Sequence, residues 1–264
     1  MPWACVNRNM QKNRTPLNGL TLIALRPAAE LRGLRRCLQR AGGELFSAPV
    51  LQRALLRGAD IESRLQQAAS AELCLFTSRF AVRATAGQIA LAGFHGIQLA
   101  VGAATAAALR AAGAARVRCP TEGADSEALL AMPELQGARQ AWLLSGAGGR
   151  GLIDLELSQR GCTLHRIDLY ERRARRLPAH RRRALLAIAP PRLLAISSLD
   201  ALQAWLGDAE LAAASRAWPV LAASPRIARA LTEHGLRASI VAASAQADDL
   251  LEAALAYAKQ APFR

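Results

Sequence analysis

Lysine, aromatic residues and long apolar runs are all scarce in this chain of 264 residues. Aromatics make up 4%, leaving few rings on which nucleic-acid bases could stack. The longest apolar stretches, such as 185–189 and 211–214, fall far short of the roughly 20 residues that span a bilayer, so no membrane association is expected. The opening residues, MPWACVNRNMQKNRTPLNG, are basic but lack the apolar segment of a secretory signal. Residues 1–18 are therefore expected to form a disordered tail, and the protein to be cytoplasmic. Cys5, Cys37, Cys74, Cys119 and Cys162 include no CxxC pair, and His95, His165, His180 and His234 are equally dispersed. That spacing argues against a metal site and against a disulfide framework. No GK[ST] tripeptide and no GxSxG occur, which removes the P-loop and the serine hydrolase elbow.

What is abundant is arginine. The net charge is +14, yet Lys12 and Lys259 are the only lysines. A guanidinium grips carboxylates and phosphates in a forked geometry, so the composition suits a polyanionic ligand. An Ala-, Leu- and Arg-rich composition also leaves many arginines merely solvated, and charge alone names no partner.

The stretch CLFTSRFAVRA (74–84) carries more information. Its apolar run 73–76 has the length of a buried strand, and a short packed helix follows. Thr77 and Ser78 then fall at the carboxyl end of the strand, the edge at which open α/β sheets place ligands. A plainer role for Ser78 is to cap the helix.

The same stretch has a counterpart later in the chain. CLFTSRFAVRATAG (74–87) aligns with LAISSLDALQAWLG (194–207), setting Ser78 on Ser198 and Gly87 on Gly207. GAATAAALRAAG from Gly102 matches SPRIARALTEHG from Ser224, SEALL from Ser126 matches ADDLL from Ala247, and the 27 residues from Leu25 lie over those from Leu144. Four segments at nearly one offset indicate two copies of one α/β unit. Strands are expected at 20–25, 44–47, 73–76, 97–101 and 116–119 in the first copy. In the second they fall at 141–145, 163–170, 193–197, 220–223 and 239–242. Strands alternating with helices imply parallel sheets covered on both faces, and two such lobes would leave a cleft between them.

These residues, in this order, resemble the uroporphyrinogen-III synthase family. The resemblance rests on Arg26-Pro27 after the first strand, FTS at 76–78, VGAATAAAL at 101–109, SEALL at 126–130, the loop SGAGGRG, Tyr170 followed by arginines, and SPRIARAL at 224–231. It implies two flavodoxin-like parallel-sheet lobes joined by a two-strand linker. One lobe would comprise 19–49 with 172–264 and the other 52–168, with crossings near 49–51 and 168–172. The activity it implies is the cofactor-free cyclisation of hydroxymethylbilane to uroporphyrinogen III, with loss of water and inversion of ring D through a spiro intermediate. Tyr170 is the catalytic candidate, assisting departure of the hydroxyl. Thr77, Ser78, Thr105, Ser197, Ser198 and Ser224 are candidates to bind substrate carboxylates through hydroxyls and helix N-termini, and Arg26, Arg79, Arg150 and Arg226 to neutralise them. A monomer is expected, with the upstream synthase as a transient partner. The sequence departs from the family pattern at Leu25, Ser145 and Arg226-Ile227.

Two other readings compete. Gly146, Gly148 and Gly151 spell GxGxxG after a strand, and Asp168 follows at about the distance of a ribose-binding acid, as in a nicotinamide-dependent oxidoreductase. The basic runs RRARR (172–176) and HRRR (180–183) prompt a nucleic-acid-binding reading, against which stand the few aromatics and the lack of any recognition motif.

Overall fold

The computed structural model describes residues 16–148 and 151–260. Its strands are β1 (Thr21–Ala24), β2 (Glu44–Ser47), β3 (Leu51–Leu55), β4 (Leu73–Phe76), β5 (Ile97–Ala100), β6 (Val117–Arg118), β7 (Gln140–Gly146), β8 (Thr163–Ala174), β9 (Arg192–Ile196), β10 (Val220–Ala222) and β11 (Ala238–Val241). The chain divides into an end unit, built from residues up to 52 and from 174 onward, and a middle unit of residues 53–173.

In the end unit the sheet order is β11-β10-β9-β1-β2, with every neighbouring pair parallel. Read in chain order this is 2-1-3-4-5, the flavodoxin-like doubly wound arrangement. Past their first residues, Thr21 and Arg192, the central strands β1 and β9 are apolar, as sheets buried on both faces require. Leu193 to Ile196 in β9 and Leu22 to Ala24 in β1 are all buried. They pack into one core with Leu34 and Leu38 of the helix Arg32–Arg40 and with Leu250 and Ala254 of the helix Ala247–Gln260. Trp205 is wholly buried in that core and donates its indole N–H to Ser215 Oγ at 3.0 Å, so its one polar atom is satisfied.

The middle unit repeats the order with a different starting strand. Its sheet runs β3-β8-β7-β4-β5-β6, and β8-β7-β4-β5-β6 is the same 2-1-3-4-5 pattern if counting begins at β7. These five are parallel. Alternate residues of β4 enter separate cores: Cys74 and Phe76 join Leu144 and Ile167, while Leu73 and Leu75 join Leu143 and Leu157. That is the period of two expected of a strand buried on both faces.

Two features depart from the sequence expectations. The tail was expected to extend through residue 18, but Leu17 is fully buried and its N–H donates to Ala41 O at 2.9 Å. A large apolar side chain with room in the core does not stay in solvent. Residues 1–15 lie outside those described. The strand expected at 163–170 continues to Ala174 because β3 pairs with it. Leu56 N donates to Leu169 O and Arg175 N to Val50 O, so β3 runs antiparallel to β8. Among the described residues no helix is long and apolar enough to cross a membrane.

Candidate active site

Doubly wound sheets bind ligands beyond the strand carboxyl ends, where neighbouring crossovers run to opposite faces. In the middle unit that place lies between β7 and β4. A cavity of about 270 Å³ sits there, lined among others by Arg53, Thr77, Ser78, Gly146, Arg166 and Tyr170.

Ser78 has two partners. It is the N-cap of the helix Arg79–Ala86, in extended backbone, and its Oγ accepts from Ala81 N at 3.0 Å. The same Oγ lies 3.1 Å from the Tyr170 hydroxyl. The capping role is realised, and the same oxygen also meets the Tyr170 hydroxyl at the cavity. Because that oxygen already accepts from Ala81, its own proton is free to be directed at the tyrosine oxygen.

Tyr170 is held from several sides. Opposite β7 the register skips one residue: Asp168 faces Ser145 and Tyr170 faces Gly146, which sets Leu169 apart as a bulge. Ala147 N donates to Tyr170 O at 2.7 Å. The ring lies so close over Gly146 that a Cβ there would come within 2.5 Å of Cε2. Any side chain at 146 would displace the ring, so only glycine fits. On its other side the ring meets Phe80 edge to face at 4.7 Å. Phe80 in turn lies under two guanidiniums, those of Arg53 at 5.4 Å and Arg83 at 5.3 Å.

The GxGxxG-like loop is thus put to another use. Gly146, which in a dinucleotide fold would serve the tight turn, here makes room for a tyrosine ring. Asp168, the would-be ribose acid, accepts from Arg166 Nε at 2.8 Å. Arg166 also pairs with Asp154 at 3.1 Å. Burial works against its positive charge, but the hydrogen bonds and charges of Asp168 and Asp154 outweigh this and raise its pKa.

The remaining sequence candidates fall in several places. Thr77 and Ser78 meet Tyr170 at the cavity, whereas Arg79, on the same helix, is exposed and is not among the lining residues. Thr105 is buried in the first turn of the helix Ala103–Ala111 and lies outside that lining as well. Arg150 lies outside the described residues. Ser197, Ser198, Ser224, Arg26 and Arg226 belong to the end unit. There Ser198 and Ser224 cap the helices Leu199–Leu206 and Pro225–Glu233, accepting from Ala201 N at 3.2 Å and Ile227 N at 3.4 Å. Arg26 reaches Glu30 at 3.5 Å and the Ala245 carbonyl at 3.3 Å, and Arg226 is exposed. Sequence reading missed Arg53, Arg166 and Arg172, all of which line the cavity. Two of them flank the tyrosine in sequence, but nothing local marks which arginines of a run turn inward.

Comparison with known proteins identifies the family and the fold. The chain is 38% identical over 78 residues to the uroporphyrinogen-III synthase of Salmonella typhimurium, a match spanning 29% of this chain and about a third (32%) of that relative. Among solved structures, uroporphyrinogen-III synthetase from Helicobacter pylori superposes with a TM-score of 0.56 at 14% identity, covering 89% of this chain and 98% of that one. A mutant uroporphyrinogen III synthase from Thermus thermophilus does so with a TM-score of 0.51 at 19% identity, covering 91% and 99%. At such identities these two likenesses speak for the fold. The sequence model of uroporphyrinogen-III synthase HemD matches residues 33–252, most of the chain and both units, and this chain therefore belongs to the uroporphyrinogen-III synthase family.

Proposed function

We propose that the protein cyclises hydroxymethylbilane to uroporphyrinogen III, with loss of water and inversion of ring D, in the cytoplasm and as a monomer. The observation that carries this reading is the Tyr170 hydroxyl, held 3.1 Å from Ser78 Oγ at the edge of a cavity lined by arginines. The nicotinamide reading gains no support, since Gly146, Gly148 and Asp168 are engaged with Tyr170 and Arg166, and the nucleic-acid reading gains none from the family match.

The chemistry follows from what these groups can do. Tyr170 donates its proton, or a strong hydrogen bond, to the departing hydroxyl of ring A, which leaves as water. The Ser78 O–H then supports the tyrosine oxygen as negative charge develops on it. The resulting azafulvene is attacked by the substituted carbon of ring D, and the spiro intermediate fragments and recloses. Since the open substrate also closes unaided without inversion, the main task is to hold one conformation while excluding water.

A cavity of about 270 Å³ is slightly below the ~300–1,000 Å³ of common small-molecule sites, and suits part of a linear tetrapyrrole. Thr77 and Ser78, with Arg53 and Arg172, offer hydroxyls and positive charge to its carboxylates. Arg79, Thr105 and Arg150 are kept as candidates for the same role. At the end unit's sheet edge, Ser197, Ser198, Ser224, Arg26 and Arg226 offer the same chemistry. The upstream synthase is a transient partner in this reading, because its product is unstable in water.

Product analysis tests the proposal. Hydroxymethylbilane, made in situ by its synthase, is incubated with the protein and the oxidised uroporphyrin isomers are separated. Isomer III in excess is expected; isomer I alone, from protein shown to be folded, overturns the assignment.

A further inference from the structure

Arg166 lines the cavity, and in a site that must hold a polycarboxylate an arginine is naturally taken for a carboxylate ligand. Its geometry says otherwise. A guanidinium has five N–H donors. Nε donates to Asp168 Oδ1 at 2.8 Å; Nη1 donates to both oxygens of Asp154, at 3.3 and 3.1 Å; Nη2 donates to the carbonyls of Gly146 at 3.0 Å and Gly148 at 2.7 Å. Four of the five donors are thereby used inside the protein, because the two oxygens of Asp154 share one N–H of Nη1. Two carboxylates also face the single positive charge, so a third would gain little from it.

What these contacts join is informative. Asp168 is on β8, two residues before Tyr170. Asp154 is in the first turn of the helix Leu152–Gln159. Gly146 ends β7 and Gly148 lies in the loop that follows, and Gly146 is the residue on which the tyrosine ring rests. From the proposed assignment of Tyr170 as the proton donor, on which this step rests, we infer that Arg166 is a positioning residue. It fixes the Gly146 backbone against β8, and so fixes where the Tyr170 hydroxyl sits, without binding substrate.

The inference is tested on the full-length protein with Arg166→Gln and Arg166→Lys, by kinetics and by a readout of Tyr170 itself. The chain has two tyrosines, Tyr170 and Tyr257, so 13Cζ-tyrosine labelling gives two NMR signals, assigned with Tyr257→Phe. In Arg166→Gln the Tyr170 signal should move or broaden while that of Tyr257 stays. The rate constant kcat should fall by ~10–100-fold, the scale of a misplacement near 1 Å, with KM changed less than about threefold. The fraction of isomer I should rise with it. Arg166→Lys, which keeps the charge and up to three donors, should fall between wild type and Arg166→Gln on both measures.

A raised KM at unchanged kcat would make Arg166 a carboxylate ligand and overturn the inference, as would an unmoved Tyr170 signal in a folded variant. If Arg166→Gln does not fold, Asp154→Asn carries the test, with a smaller shift of the same signal expected and no shift counting against. If the wild type yields isomer I alone while the Tyr170 signal still responds, the functional reading fails and the positioning role stands.

Discussion

The two units share one strand order and one capping device, yet only one of them builds a tyrosine site. Ser78 and Ser198 stand at equivalent positions in the aligned copies. Each follows a central strand, each is extended, and each accepts from the amide three residues on. The difference lies in what is laid over the serine. In the middle unit Tyr170 reaches Ser78 across a glycine. The same alignment puts Leu51 where the middle unit has Tyr170, and Pro27 where it has Gly146. Leu51 packs against the apolar core of its own unit. The capped helix is thus the fold's contribution, and the site is added by two side-chain choices on neighbouring strands.

Substitutions at matched positions sharpen that contrast. The largest effect is expected for Tyr170→Phe, which removes only the hydroxyl. Formation of isomer III should slow by about 10²-fold, with isomer I rising, while Leu51→Ala should leave the isomer ratio alone. If both variants behave alike, the asymmetry between the units is not functional. Next comes Gly146→Ala. The added methyl must push the ring aside, at about 1–3 kcal/mol in thermal or urea unfolding and roughly tenfold or more in rate. The matched Pro27→Ala should leave the rate unchanged.

Ser78→Ala and Ser198→Ala should each cost about 1 kcal/mol through loss of the cap. Ser78→Ala should also lower kcat, because Ser78 has the tyrosine as a second partner, whereas Ser198→Ala, at a candidate carboxylate-binding position, should act on KM alone; equal kcat values would show that the contact with Tyr170 is idle.

The smallest contrast concerns pH. Burial pushes the Cys74 thiol from 9.0 up to about 12, and the aligned residue of the other copy is Leu194, which does not ionise. A folded-state pKa raised in this way gives stability that is intact below about pH 9 and lost as the pH climbs toward 12, since the unfolded chain releases the proton first. Between pH 8 and 10 the wild type should lose about 1 kcal/mol more than Cys74→Ala. Parallel pH profiles of the two in urea unfolding would contradict this.

Much of the fold was legible because its central strands are nearly pure apolar runs. The run 73–76 is β4 residue for residue, and the stretch 97–101 overshoots β5 by one residue. β3 was not legible from its own residues: Leu51–Leu55 reads LQRAL, partly exposed, and only the family resemblance implied a linker strand near 49–51; it is a strand because β8 lies beside it. Serine N-caps at the strand ends followed from local chemistry. The meeting of Ser78 with Tyr170, 92 residues apart, did not; the order of weak motifs pointed to both residues without placing them together. Arg166 was invisible for a related reason, since its partners at 146, 148, 154 and 168 acquire meaning only when β7 and β8 are paired.

The order of strands in the end unit also bears on how the chain folds. Pairing β1 with β9 sets Thr21 opposite Arg192, so the whole middle unit lies within the loop that this pairing closes. Closing a flexible loop of that length costs entropy before any contact repays it. If residues 53–173 collapse first, the loop becomes a compact body and the pairing turns nearly local. During synthesis β1 and β2 must in any case wait, unpartnered by β9, until the middle of the chain has emerged. The interruption of one unit by the other thereby sets an order of assembly in which the tyrosine site is complete before the unit that brackets it in sequence can form its sheet.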